Sequence, residues 1–102
     1  MKVEPFGPLV QMLSFKSFDE VIERANNNDL GLCSYICTNS MEKAHRASEL
    51  METGTVAVNT PLVAIAEAPF GGIKQTGYGR EGGSMAIKDY LNIKYTHLGI
   101  KG

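Results

Sequence analysis

The chain has 102 residues, enough for one small domain with a modest core. Apolar residues make up 43% and charged residues 21%, and the net charge of -1 leaves neither the basic field of a nucleic-acid binder nor the polybasic run of an anionic-lipid binder. The longest purely apolar run, LVAIA at 62–66, is too short to span a bilayer, and MKVEPFGPLV at the N-terminus lacks the apolar stretch of a signal peptide. No membrane partner is expected, and a cytoplasmic location is.

In chain order, LVQMLSF at 9–15 predicts a strand after the proline-bounded PFGP. Ser17 and Glu20 then have the spacing of a capping box, and Phe18, Val21, Ile22 and Ala25 follow at helical intervals. Three asparagines, Asp29 and Gly31 stop that helix. LCSYICT predicts the next strand. NSMEKAHRASELMETG predicts a second amphipathic helix, capped by Asn39 or Ser40, with Ala44, Ala47 and Met51 on one face and Gly54 where a C-terminal cap belongs. TVAVN is a short strand. Residues 60–83 form a long loop broken by two prolines and six glycines. SMAIKDYL predicts a short helix and NIKYTHL a last strand. Alternating helices and strands argue for a layered α/β arrangement.

Two cysteines lie in this pattern. On a strand, Cys33 and Cys37 share a face about 13 Å apart, beyond disulfide reach, which predicts two reduced, buried thiols. A zinc site completed by His45 and His97 matches no common ligand spacing, so no metal is expected and His45 is read as a surface residue.

GYGREG at 77–82 fits G-x-G-x-x-G, the fingerprint of a dinucleotide loop. The context is wrong for that role. GGIKQT precedes it, which is loop and not strand, and no strand with an acidic tip can follow in the residues that remain. Arg80 and Glu81 occupy the variable positions, and the glutamate would repel pyrophosphate. These glycines are expected to permit tight turns with positive φ.

Read whole, EAPFGGIKQTGYGREGG at 67–83 resembles the C-terminal signature of aldehyde dehydrogenases. VEPFGPLV at 3–10 resembles the E-x-F-G-P element of the same superfamily, and the stretch between, with its asparagine-rich helix end, LGL and GTVAVN, follows the family's order. The resemblance covers essentially the entire chain and is nearest to the succinate-semialdehyde dehydrogenase branch. It implies an α/β fold: a three-layer piece of the catalytic domain over residues 1–90, with an oligomerisation strand and tail over 91–102. It also implies that the nucleophilic cysteine, the general base, the oxyanion donor and the Rossmann domain lie upstream of what this sequence contains. The chain therefore looks like a C-terminal part of such an enzyme, starting at its own methionine and lacking catalytic residues. Attack on an aldehyde needs a thiolate, a base and oxyanion donors. Neither Cys33 nor Cys37 has a flanking cation or sits in the family's nucleophile motif.

Other positions carry implied roles. By resemblance, Glu4 would hydrogen-bond the nicotinamide ribose and Phe6 would pack near the nicotinamide ring, so NAD or NADP is the cofactor of the intact enzyme, with none expected on this chain alone. Phe70 would line the substrate tunnel. Ala64 falls where semialdehyde enzymes carry a serine that holds the substrate carboxylate, which an alanine cannot do. The terminal strand and the apolar faces left without their domains predict self-association, or docking onto an N-terminal dehydrogenase partner chain. A split-gene assembly module and a decayed remnant are the alternatives to an enzyme part.

Overall fold

A computed structural model describes residues 5–102. Helix α1 spans Phe18–Asn26. Its start is local chemistry: Ser17 is extended, and its hydroxyl accepts the Glu20 amide at 3.2 Å. The Glu20 carboxylate reaches back to the Lys16 amide at 2.8 Å, one residue earlier than a strict capping box requires. The asparagine run ends the helix. Asn28 donates its side-chain amide to the Ala25 carbonyl at 2.6 Å and accepts from the Leu30 amide at 2.9 Å.

Strands β1 (Leu30–Gly31) and β2 (Cys33–Ile36) follow, then helix α2 (Met41–Leu50) and strand β3 (Thr55–Val58). Ser40, not Asn39, caps α2, accepting from the Lys43 amide at 3.3 Å. β2 and β3 pair in parallel, Cys33 opposite Thr55 through Ile36 opposite Val58, so β2–α2–β3 is a parallel pair joined by a helical crossover. Asn59 closes it. With φ at 56°, its carboxamide accepts from the Thr38 amide and donates to the Thr38 carbonyl, at 2.9 and 2.8 Å. Strand β4 (Ile73–Lys74) lies within the predicted loop and pairs antiparallel with β1. The short helix predicted at the end is a 3-10 turn over Ala86–Tyr90.

The buried side chains are small: Ala44 and Ala47 of α2, Ala57 of β3 and Ser34 of β2. No large side chain among the described residues is fully buried. α1 buries none of its residues; its apolar face, with Phe18, Val21 and Ile22, borders a groove of about 490 Å³ that Ile36 and Met51 also line. Arg46 links the helices, its guanidinium 4.7 Å over the Phe18 ring and 3.3 Å from the Asp19 carboxylate.

Several expectations are corrected. Residues 9–15 form no strand, and all are exposed. Residues 92–98 form no ladder among the described residues. Strands need partners for their backbone groups, and neither segment has one here. Gly54 does not cap α2, which ends at Leu50 with Met51 extended. Its lack of a side chain serves a close approach instead: a Cβ there would run into the Gly71 carbonyl and meet Gly72 Cα at 3.0 Å. Both thiols are free, but the pair is not buried: Cys33 is half-buried, and Cys37, beyond the end of β2, is exposed.

Candidate functional site

The region that carries the signature is a hairpin closed by one bridge. Phe70 N–H donates to the Glu81 carbonyl at 2.7 Å, and Glu81 N–H returns to the Phe70 carbonyl at 2.8 Å. The hairpin is anchored on β1: β4 pairs with it, Gly31 N–H donates to the Thr76 hydroxyl at 2.7 Å, and Gln75 N–H to the Asp29 carbonyl at 2.9 Å. Its base is stitched to the preceding turn by Gly83 N–H on the Ala66 carbonyl at 2.8 Å.

Gly77, Gly79, Gly82 and Gly83 all have positive φ, from 63° to 119°, as the turn reading expects. Their loop does not fit a pyrophosphate. The amide of Arg80 already donates to the Asp89 carboxylate at 2.8 Å, that of Glu81 to Phe70, and that of Gly77 to the Lys74 carbonyl at 3.4 Å. A phosphate cradle needs free amides and no anion. Here three of the loop's amides are already bonded, and the Asp89 carboxylate lies against the loop.

Phe70 is half-buried and borders a hollow of about 530 Å³ together with Leu32, Thr76, Arg80 and Tyr90. Ala64, on the same loop, is exposed. Phe6 is 95% exposed, so its ring borders no enclosed space in this chain. Glu4 lies outside the described residues. The structure thus seats Phe70 in a defined hollow and does not gather Phe6 or Ala64 around it. Among the described residues, no group of three His, Cys, Asp or Glu side chains is placed to hold a metal. Cys33 Sγ donates to its neighbour's carbonyl, that of Ser34, at 3.9 Å.

Two further contacts shape this region. Arg80 was a variable position of a glycine motif, yet its Nη1 donates to the Gly72 and Gly79 carbonyls at 2.8 and 2.7 Å. Lys74, with φ at 56°, donates Nζ to the Asn26 and Asn28 carbonyls and pairs with the Glu52 carboxylate at 2.5 Å. Neither has a local sequence signal, because the carbonyls that accept from both side chains belong to the backbone.

Comparison with known proteins agrees with this architecture. The aldehyde dehydrogenase family model matches residues 1–96. The chain belongs to the aldehyde dehydrogenase family. It is 50% identical to 3-sulfolactaldehyde dehydrogenase of Pseudomonas putida, over 94% of this chain and 20% of that protein. It is 45% identical to the mitochondrial succinate-semialdehyde dehydrogenase of Arabidopsis thaliana, over 96% of this chain and 19% of that protein. The NAD+ complex of an aldehyde dehydrogenase from Bacillus cereus superposes with a TM-score of 0.86 at 44% identity, covering 94% of this chain and 20% of that one. The chain spans about a fifth of the length of the curated relatives it matches.

Proposed function

We propose that the chain is the C-terminal portion of an NAD(P)-dependent aldehyde dehydrogenase that oxidises an aldehyde to a carboxylic acid, and that it is inactive by itself. A family match over residues 1–96, in a chain that spans a fifth of its relatives, supports a part of such an enzyme, and the resemblance of residues 67–83 to the family's C-terminal signature supports the C-terminal placement. Inactivity rests on the chemistry. A nucleophilic thiol needs a base and oxyanion donors around it, and neither Cys33 nor Cys37 hydrogen-bonds to a histidine or a cation among the described residues.

Succinate semialdehyde is one candidate substrate, in keeping with the Arabidopsis relative's name. The methyl group of Ala64 offers a substrate carboxylate no hydrogen bond, so a different aldehyde is equally consistent with this loop. In the assembled enzyme, residues 1–90 would complete the three-layer catalytic domain and 91–102 would form the oligomerisation strand and tail. Glu4 and Phe6 would meet the nicotinamide ribose and ring there. Phe70 would wall the substrate tunnel.

A second reading, a non-enzymatic assembly module of a split dehydrogenase, draws on the exposed apolar side chains of two segments. Leu9, Val10, Met12 and Leu13 stand out near one end, and Tyr90, Ile93, Tyr95 and Leu98 near the other. Self-association, or docking onto an N-terminal dehydrogenase chain, would cover them. Free thiols accord with a cytoplasmic location. Among the described residues, no helix is long and apolar enough to cross a membrane.

The test is formation of reduced nicotinamide from a panel of aldehydes, first by the purified chain. It is then repeated after co-expression with the preceding four-fifths of the Arabidopsis relative. No turnover alone and turnover on assembly is the expected result. Turnover by the chain alone, lost in Cys33→Ala or Cys37→Ala, would overturn the reading.

A further inference from the structure

We infer that Arg80 is the positioning residue that fixes Phe70, acting as a clamp inside the glycine-rich hairpin. This rests on the reading of Phe70 as a wall of the substrate tunnel, but the clamp itself stands on contacts within the chain. Nη1 of Arg80 holds two carbonyls at once, those of Gly72 and Gly79, on opposite limbs of the hairpin. Both lie next to the bridge in which Phe70 and Glu81 exchange backbone hydrogen bonds. The main chain of the same residue is fixed from outside, because Arg80 N–H donates to Asp89 on the 3-10 turn.

The glycines make room for this side chain. A Cβ at Gly71 would stand 2.5 Å from the Gly79 carbonyl oxygen and 2.8 Å from Arg80 Cδ. A Cβ at Gly79 would stand 2.9 Å from the Asp89 carboxylate oxygen. Gly71 thus lets the two limbs and the Arg80 side chain lie close together, and Gly79, whose φ of 88° already favours glycine, leaves room for the Asp89 carboxylate. A charged donor shared by two carbonyls is stronger than the neutral bonds of the bridge it braces. Removing it leaves the two limbs joined beside Phe70 only by the Phe70–Glu81 bridge, with the Gly83–Ala66 and Arg80–Asp89 bonds holding the loop from outside and no charged donor across it.

Amide hydrogen exchange of the 102-residue chain tests the clamp. In Arg80→Ala, the amides of Phe70 and Glu81 should exchange at least about tenfold faster, as loss of roughly one charge-assisted bond implies, while Thr55 and Asn59 of the parallel pair keep their protection. Arg80→Lys, which retains a cation able to reach one carbonyl, should recover part of the loss. Unchanged exchange at Phe70 and Glu81 would overturn the proposal. So would equal loss at Thr55 and Asn59, which would make Arg80 a support of the whole fold. The aldehyde assay on the assembled protein is a separate measurement: its failure would remove the dehydrogenase reading and leave the exchange result standing.

Discussion

The side chain of Asn26, the last residue of α1, accepts a hydrogen bond from the Glu52 amide at 2.9 Å, just beyond the end of α2. Its Nδ2 donates to the Leu50 carbonyl at 2.7 Å, so one carboxamide satisfies a donor and an acceptor where the neighbouring helix runs out. Lys74 closes the same corner, touching the Asn26 carbonyl and the Glu52 carboxylate. Asn26→Ala should lower stability by about 2 kcal/mol, two modest hydrogen bonds, measured as a shift in the urea midpoint. A change below about 0.5 kcal/mol would show that water replaces both partners at no cost.

Gly54 is the position least able to accept a side chain. The atoms a Cβ would meet belong to the backbone of Gly71 and Gly72, which cannot swing aside. Gly54→Ala should cost about 3 kcal/mol and loosen the hairpin from β3, visible in the same titration. A near-neutral result would mean that the hairpin sits farther from this strand in solution.

Acid should weaken the start of α1. The Lys16 amide holds the Glu20 carboxyl below its usual value of 4.5, with Arg24 assisting. A lowered pKa in the folded state means that the charged form is bound more tightly there. The stabilisation is therefore complete above pH 4.5 and is lost as the pH falls through the lower, folded value. Helical circular dichroism should fall in that range, and Glu20→Gln should remove that part of the response. An identical acid profile in the variant would rule out this carboxylate.

Ala64 makes the substrate question testable. In the assembled enzyme, Ala64→Ser should lower KM for succinate semialdehyde by roughly tenfold, the value of one hydrogen bond to a charged group, with kcat little changed. If the serine leaves KM where it was, position 64 is not where the substrate carboxylate binds.

The two helices and the parallel strands were legible because their determinants are local. Ser17 and Ser40 cap, apolar residues recur at helical spacing, and TVAV is β-branched. The strand expected at 9–15 fails, and that at 92–98 forms no ladder among the described residues, for one reason: an apolar composition shows that a segment can pair and says nothing about whether a partner is present. The expected burial of Cys37 fails because the apolar run LCSYICT extends two residues past the end of β2 at Ile36. In the candidate site, the glycine turns were readable from composition. The Arg80 clamp was not, since its acceptors are backbone carbonyls that no side-chain pattern encodes. β4 was hidden for the same reason, being two residues whose partner lies far back in the chain.

That distance has a kinetic consequence. In the parallel pair, Cys33 and Thr55 are 22 positions apart, and the helix between them shortens the path further. In the antiparallel pair, Leu30 and Lys74 are 44 apart, with the whole β2–α2–β3 unit and an irregular loop between. Doubling a flexible loop adds about 0.6 kcal/mol to the entropy of closing it, before any shortening by the helix is counted. The β2–α2–β3 unit is thus expected to form first during refolding, and the glycine hairpin to dock onto it as the late, rate-sensitive event.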